Sequence, residues 1–347
     1  VRADSLEGGD YLVDTRVQSV EEVGEKHVYD LEVADFHNFI ASGVCVHNCS
    51  SPNLQQLPRA GEEDKYQIRG LFVGNENPKS KTGRDKIVAC DFSNLEIRVT
   101  AYFSRDKKLL EMFANGEDVH GATAKSMFEL DCEANEVKGK YKALRQAAKV
   151  LNFLLLYGGS APTLYQNLKN DRFDPIDLGD KEHLAEYKEQ GARDGIDVAQ
   201  IYIDKYFDAY DGVAKFIQKQ KRKAHRDLFV ETVLGRKRRL PNINSSNLSE
   251  RSYYERLSVN AAVQGGAADI TSSTQIRIDN DPWFEEHNCL MLIQIHDEVV
   301  FTCPEEYVEE AIKRIQHYFK YPFGDDFEFE PTLESEADFG DSYAEAK

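Results

Sequence analysis

Two almost wholly apolar runs, Cys289–Ile295 and Val299–Cys303, flank the three polar residues His296-Asp297-Glu298. Runs of that length fit buried strands, and so short a polar break predicts a β-hairpin with Asp297 in its turn. A second apolar strand, Ile87-Val88-Ala89-Cys90, ends on Asp91. A carboxylate beside a buried strand is costly unless a cation or hydrogen-bond donors compensate it. Two of them, from distant parts of the chain, suggest one shared Mg²⁺ site. Hard cations prefer oxygen ligands, and Mg²⁺ takes one or two carboxylates plus substrate phosphates. Either aspartate alone fits a wet turn or strand end equally well, and nothing in the local pattern brings the two together.

A helix carries the next signal. In the segment from Arg145 to Gly158, positions 145, 149, 153 and 157 are Arg, Lys, Phe and Tyr. A four-residue spacing puts them along one helical stripe, with two cations in successive turns followed by two aromatic rings. Such a stripe can hold a polyphosphate and stack on a base. Taken alone it also fits an amphipathic helix with surface cations. Gly158-Gly159 supplies the stop.

The bulk numbers limit the class. The 347 residues are 41% hydrophobic and 11% aromatic, which predicts a folded protein of two or three domains. No apolar run approaches the ~20 residues of a membrane span, and the polar start is no signal peptide, so no membrane partner and a cytoplasmic location are expected. The six cysteines are scattered without a CxxC pair, against zinc and against a disulfide scaffold. The net charge of −18 counts against a nucleic-acid partner at first sight. However, Val213–Arg239 carries ten Lys/Arg against two acids. Screened charges act locally, so this stripe fits phosphate binding as well as a solvated helix face.

Three textures run along the chain. Residues 1–48 read as short strands, at Val28–Val33 and Phe39–Ala41, broken by glycines. From about Ser104 to Leu228 the pattern is helical, interrupted by a polar loop at Lys169–Gly195. After Arg251 a helix leads into the hairpin. Domain bounds are set at 1–48, 49–105, 106–250 and 251–347.

Taken together and in order, these segments resemble the family A DNA polymerases, the bacterial polymerase I and phage group. The segment Ser50-Ser51-Pro52-Asn53-Leu54-Gln55-Gln56-Leu57-Pro58 resembles the family's primer-strand entry to the palm, and Asp91–Arg98 resembles motif A. Gly116-Glu117-Asp118-Val119-His120 is similar to a fingers segment bearing a nucleotide-contacting histidine, and Arg145–Gly158 resembles motif B. Gly235–Pro241 and Arg256–Asp269 are similar to two further segments, and Gln294–Glu298 to motif C. The match is collinear over residues 49–347. It implies an α+β fold, with a palm of antiparallel sheet and a helical fingers insertion. It also implies template-directed nucleotidyl transfer from a dNTP to a primer 3′-OH with two Mg²⁺ ions, Mn²⁺ being a possible substitute.

Carried over by residue, the resemblance makes Asp91 and Asp297 metal ligands, assisted by the Phe92 carbonyl, with Glu298 near the primer end. Glu96 would exclude a ribose 2′-OH. His120, Arg145 and Lys149 would contact the nucleotide, Lys149 also donating a proton to the leaving pyrophosphate, and Phe153 and Tyr157 would pack against it. Asn53, Gln55, Arg236, Arg256, Asn260, Gln264 and His296 would contact primer-template DNA. Gln146, Leu154 and Asn94 depart from the commonest family pattern and bear on fidelity and fingers motion.

The family's thumb precedes the primer-strand segment, and here another sequence stands in its place. Residues 28–48 followed by Cys49 resemble the two C-terminal blocks of an intein, a small all-β element of the Hint type. Asn48 can cyclise to cleave its own peptide bond, Cys49 can accept an acyl group, and His47 and His37 can assist as proton donors. No Thr-x-x-His block precedes residue 28. The expectation is the C-terminal piece of a split intein joined to a polymerase half, whose partner is an N-terminal polymerase–intein fragment. A single-subunit RNA polymerase shares the metal carboxylates, but Glu96 and the Arg256–Gln264 helix argue against it. An inert extein would not need Asp91, Lys149 and Asp297, and a non-enzymatic DNA-binding subunit would show no magnesium-dependent turnover.

Overall fold

The computed structural model describes residues 11–12, 15–16, 38–41, 44–47, 68–170 and 186–346. In chain order the strands are β1 (Tyr11–Leu12), β2 (Thr15–Arg16), β3 (Asn38–Ala41), β4 (Val44–His47) and β5 (Lys86–Phe92). They continue as β6 (Phe229–Glu231), β7 (Lys237–Arg239), β8 (Leu290–Ile295), β9 (Glu298–Cys303) and β10 (Ser335–Gly340). Contacts divide the chain into two units. One comprises Val1–Ser93, Thr271–Asp325 and Glu334–Lys347, the other Asn94–Ile270 and Asp326–Leu333.

The first unit is built on an antiparallel sheet in the order β10-β5-β9-β8. The expected hairpin is its β8–β9 arm, with His296 and Asp297 as the turn. All six residues of β9 are buried, which explains why its sequence stays apolar at consecutive positions instead of alternating. Helix Val308–Lys320 buries Val308, Ala311, Ile315 and Phe319, a helical stripe, and packs on β5 and β10. Its Phe319 ring stacks on Phe92 at 4.2 Å. Ile87, Ala89, Ile293, Ile295, Val300 and Tyr343 form a separate buried cluster.

The sheet register also joins two thiols that are far from obvious partners in the sequence. Leu290 pairs with Thr302, so Cys289 lies opposite Cys303, with Sγ atoms 2.8 Å apart. Both are buried free thiols. The hydrogen bond to Cys289, with burial, pushes the Cys303 thiol well above its ordinary pKa, so it stays protonated. In the N-terminal region β3 and β4 form a hairpin that pairs Asn38 with His47. The strand expected at Phe39–Ala41 is present in β3, whereas the one expected at Val28–Val33 lies outside the described residues.

The second unit is mainly helical, as the sequence pattern from Ser104 to Leu228 predicts. Its helices are Leu95–Ser104, Lys107–Ala114, Val119–Met127, Val137–Lys140, Lys142–Leu156, Ala161–Asn170, Gly195–Ala209 and Asp211–Asp227, and the first part of Leu248–Asp279. Residues 171–185, in the expected polar loop, lie outside the described set. Aspartates start three of these helices, where unpaired amides need acceptors. Asp106 accepts from Leu109 N at 3.1 Å, and Asp194 from Ile196 N and Asp197 N. Asp106 is itself buried and takes a second bond from Gly212 N at 2.8 Å. A Cβ at Gly212 would meet Asp106 at 2.8 Å, so this close approach requires glycine. The core includes Leu109, Val119, Leu151, Leu155, Tyr202 and Val213. Among the described residues no helix is long and apolar enough to cross a membrane.

Candidate active site

Strand register assembles the acidic end of the sheet. Asp91, near the end of β5, pairs with Glu298 on β9 and with Glu336 on β10. Directly paired residues of antiparallel strands share a face, so three carboxylates line up across three strands. Asp297 joins them through its backbone, because Phe92 N donates to the Asp297 carbonyl at 3.3 Å. The two aspartates singled out by sequence are therefore held at neighbouring backbone positions, a pairing that the local pattern could not supply. Phe92 turns its ring into the core against Phe319, which leaves only its backbone for a ligand.

Glu298 is buried, and its Oε2 accepts a hydrogen bond from Tyr343 at 3.0 Å. Burial and the nearby Glu298 carboxylate push the Tyr343 hydroxyl well above its usual range, so it remains a donor. The Arg69 guanidinium sits 4.7 Å from the Tyr343 ring centre. Among the described residues no three His, Cys, Asp or Glu side chains gather as a closed metal cage. The donor set still suits Mg²⁺, which needs only one or two carboxylates and takes its other ligands from water and substrate.

In the second unit, helix Lys142–Leu156 carries the cation and aromatic stripe. Its buried face is Ala147, Ala148, Leu151, Asn152, Leu155 and Leu156, which turns Arg145, Lys149 and Phe153 away from the core. Lys149 Nζ lies 5.9 Å from the Phe153 ring centre. Phe153 and Tyr157 are roughly parallel, with centres 6.4 Å apart. The Tyr157 hydroxyl donates to Glu96 Oε2 on helix Leu95–Ser104. Gly158 ends the helix at φ +70, and a Cβ there would meet the Arg256 side chain at 3.0 Å, so glycine serves both the turn and the contact.

His120 is buried beside this helix, its ring 5.8 Å from Phe153 and its Nδ1 2.9 Å from Asn152 Nδ2. Burial, helped by the Arg145 charge, pushes its pKa down to about 4, so the ring is neutral in neutral solution. Arg145 itself is paired with Asp118. Three partners escape sequence reasoning: Asp118 for Arg145, Asn152 for His120 and Tyr343 for Glu298. Only Asp118 left a local trace, as an acidic residue just ahead of a helix start.

The residues assigned to DNA divide differently. Arg256, Asn260 and Gln264 lie on helix Leu248–Asp279 at four-residue spacing, along one stripe. Arg256 is exposed and donates to Ser252 Oγ at 2.8 Å. Asn260 Oδ1 is buried with no hydrogen-bond partner among the described residues. Arg236 is engaged inside the unit, by Asp269 Oδ1 at 2.9 Å and the Gly265 carbonyl at 3.2 Å. Several cations of the basic stripe are likewise paired with acids: Lys215 with Asp211, Lys223 with Glu231 and Arg226 with Asp227. The three residues of β7, Lys237-Arg238-Arg239, are exposed, as are Lys219 and Arg222 on helix Asp211–Asp227. His296 is exposed at φ 55 in the hairpin turn, its carbonyl accepting from Gln294 Nε2 at 3.0 Å. His37, Asn48, Cys49, Asn53 and Gln55 lie outside the described residues, and His47 is described only as the backbone end of β4.

Comparison with known proteins supplies the class. The sequence model of DNA polymerase family A matches residues 41–345, and the chain belongs to that family. DNA polymerase I of Pseudomonas aeruginosa is 34% identical over 269 residues, 77% of this chain and 25% of that protein. The thermostable DNA polymerase I of Thermus aquaticus is 32% identical over 300 residues, 86% of this chain and 31% of that protein. Among solved structures, the POL domain of Pol1 from M. smegmatis, in complex with DNA primer-template and dNTP, matches with a TM-score of 0.68 and 30% identity. That match covers 86% of this chain and 45% of the other. The chain thus spans only a quarter to a third of these two curated relatives.

Proposed function

We propose that the chain is the catalytic part of a template-directed DNA polymerase, adding nucleotides from dNTPs to a primer 3′-OH. The observation that carries this reading is the backbone bond from Phe92, the neighbour of Asp91, to Asp297, which sets the two aspartates close together at the acidic end of an antiparallel sheet, in a family A chain. Asp91 and Asp297 would hold two Mg²⁺ ions, or Mn²⁺ in their place, with the Phe92 carbonyl assisting. When bound, such ions activate the attacking hydroxyl and stabilise the leaving oxygen of an in-line phosphoryl displacement. Glu298, fixed by Tyr343, lies by the primer end in this reading. Arg145 and Lys149 bind the triphosphate, Lys149 passing a proton to the departing pyrophosphate, while Phe153 and Tyr157 pack on the nucleotide. Arg256, Asn260 and Gln264 test minor-groove acceptors shared by all correct pairs, so they sense pair geometry, not sequence. Primer-template DNA, the ligand of the M. smegmatis structure, is the partner this implies, and the setting is cytoplasmic.

Glu96 serves as the sugar gate, and Tyr157 holds it by a hydrogen bond to a carboxylate, worth about 1.5–3 kcal/mol. Tyr157→Phe is expected to lower the preference for dNTP over rNTP by roughly tenfold, read as the ratio of kcat/KM values. An unchanged ratio would remove Tyr157 from sugar selection.

The N-terminal segment is read as the C-terminal piece of a split intein. Asn48, Cys49, His47 and His37 would perform cleavage and acyl transfer, ligating residue 49 onward to an N-terminal polymerase half. The support is the block of residues 28–49 together with the β3–β4 hairpin, which ends one residue before Asn48. The test mixes this chain with a candidate N-terminal polymerase–intein fragment and follows mass and primer extension. A ligated product lacking residues 1–48, with Mg²⁺-dependent extension, is the expected result. Ligation without extension would sink the polymerase reading, and extension without ligation the splicing one.

A further inference from the structure

Arg145 does not wait for a ligand with a free side chain. Its Nη2 donates to Asp118 Oδ1 at 3.0 Å and its Nε to Asp118 Oδ2, a side-on fork that uses one long edge of the guanidinium. A guanidinium has five N–H groups, and this fork takes two. The Nη1 atom makes no hydrogen bond among the described residues, so the donors of the outer edge stay available. Both partners are sheltered, with side-chain exposures of 24% and 17%.

Asp118 is itself held from several sides. It caps helix Val119–Met127, its Oδ1 accepting from His120 N at 3.2 Å, and its own amide donates to Asn135 Oδ1 at 2.6 Å. The carboxylate sits against Gly121, where a Cβ would lie 3.0 Å from Asp118 Oδ2 and 2.1 Å from the Ala134 carbonyl oxygen. Glycine at 121 is what allows helix Val119–Met127 to approach the Ala134 carbonyl this closely. Burial works against ionisation of Asp118, but the hydrogen bond and charge of Arg145 outweigh it and keep the carboxyl below its usual range. The cost of the fork is one negative charge near a site for an anion. Its gain is that a long, flexible side chain is fixed before the ligand arrives.

We propose that Asp118 is a positioning residue for the incoming nucleotide: it grips the inner edge of Arg145 and presents the outer edge to the triphosphate. This rests on the nucleotide-binding role read above for Arg145. Orientation outweighs charge here because the fork leaves the outer donors in place, whereas an untethered guanidinium must be ordered anew by each triphosphate.

The test measures dATP–Mg²⁺ binding to the full chain by calorimetry and primer extension by the full chain mixed with its N-terminal fragment. Asp118→Asn keeps a capping oxygen of equal quality but loses the charge and half the fork. Weaker dATP binding and a higher dNTP KM, each by about tenfold, are expected, with kcat within about twofold. In an Arg145→Ala background the same change is expected to cost under twofold, because the tether then has nothing to hold. Unchanged or tighter binding in Asp118→Asn would overturn the proposal and make Asp118 a competitor or a mere cap. An equal loss in the Arg145→Ala background would also overturn it, by showing an effect that bypasses Arg145. If the unsubstituted chain binds no dATP and extends no primer, the polymerase reading fails and takes this inference with it. Normal binding and extension with an inert Asp118→Asn would fell the inference alone.

Discussion

Asp297→Asn is expected to lower Mg²⁺-dependent primer extension by about a thousandfold or more while leaving the fold intact. A thousandfold is about 4 kcal/mol of transition-state stabilisation, the scale set by a cation that polarises a phosphoryl oxygen. Asn matches Asp in shape but is a neutral, weaker ligand. The backbone bond from Phe92 N to the Asp297 carbonyl survives the change, since no side-chain atom takes part. The residue sits in a turn at the end of β8, half-buried, with no core volume to lose. Stability should hold or rise by ~0.5 kcal/mol, because Asp91, Glu298 and Glu336 already crowd like charges across neighbouring strands. Thermal melting and extension rate, measured on the same preparation, separate the two effects. A rate within tenfold of the parent would remove Asp297 from the metal site. A comparable loss of melting temperature would instead mark it as structural.

The carboxylate pair shows how far the sequence reaches. The β8–β9 hairpin was legible because two apolar runs bracket a short polar break, and β5 because four apolar residues end on an acid. Both signals are local. What the sequence does not carry is the register that sets Asp91 beside Asp297, a contact over some two hundred residues of chain. Strand β10 is harder still. Its residues Ser335-Glu336-Ala337-Asp338-Phe339-Gly340 offer only Ala337 and Phe339 as apolar side chains on one face, an alternation too short to announce an edge strand.

The helical unit repeats the lesson with charges. The four-residue stripe of Arg145, Lys149, Phe153 and Tyr157 follows from helix geometry. Its partners do not: Asp118 lies 27 residues from Arg145, and Glu96 lies 61 from Tyr157. The basic stripe was legible as charge but not as function. Once folded, Lys215, Lys223 and Arg226 meet their own acids, a pairing that the run of charge does not announce.

Phe319→Ala is expected to destabilise the sheet-bearing unit by about 3–5 kcal/mol, the range for truncating a buried aromatic ring. Phe319 is fully buried at the C-terminal end of helix Val308–Lys320 and stacks on Phe92 with 27° between the ring planes. The loss therefore has three parts: transfer of the ring, the cavity left behind and the stacking preference. The neighbourhood has little freedom to collapse, because Phe92 belongs to β5, which pairs with strands on both edges. Phe92 also adjoins Asp91 and donates the backbone bond that fixes Asp297. The same cavity should thus loosen the carboxylate pair and depress primer extension at temperatures well below the melting transition. Phe319→Leu, which refills most of the space, should recover the larger part of both losses. Urea denaturation read beside extension rate checks this. Full stability loss with an undiminished rate in the folded fraction would mean that the Phe92–Phe319 stack supports the sheet without aiming its carboxylates.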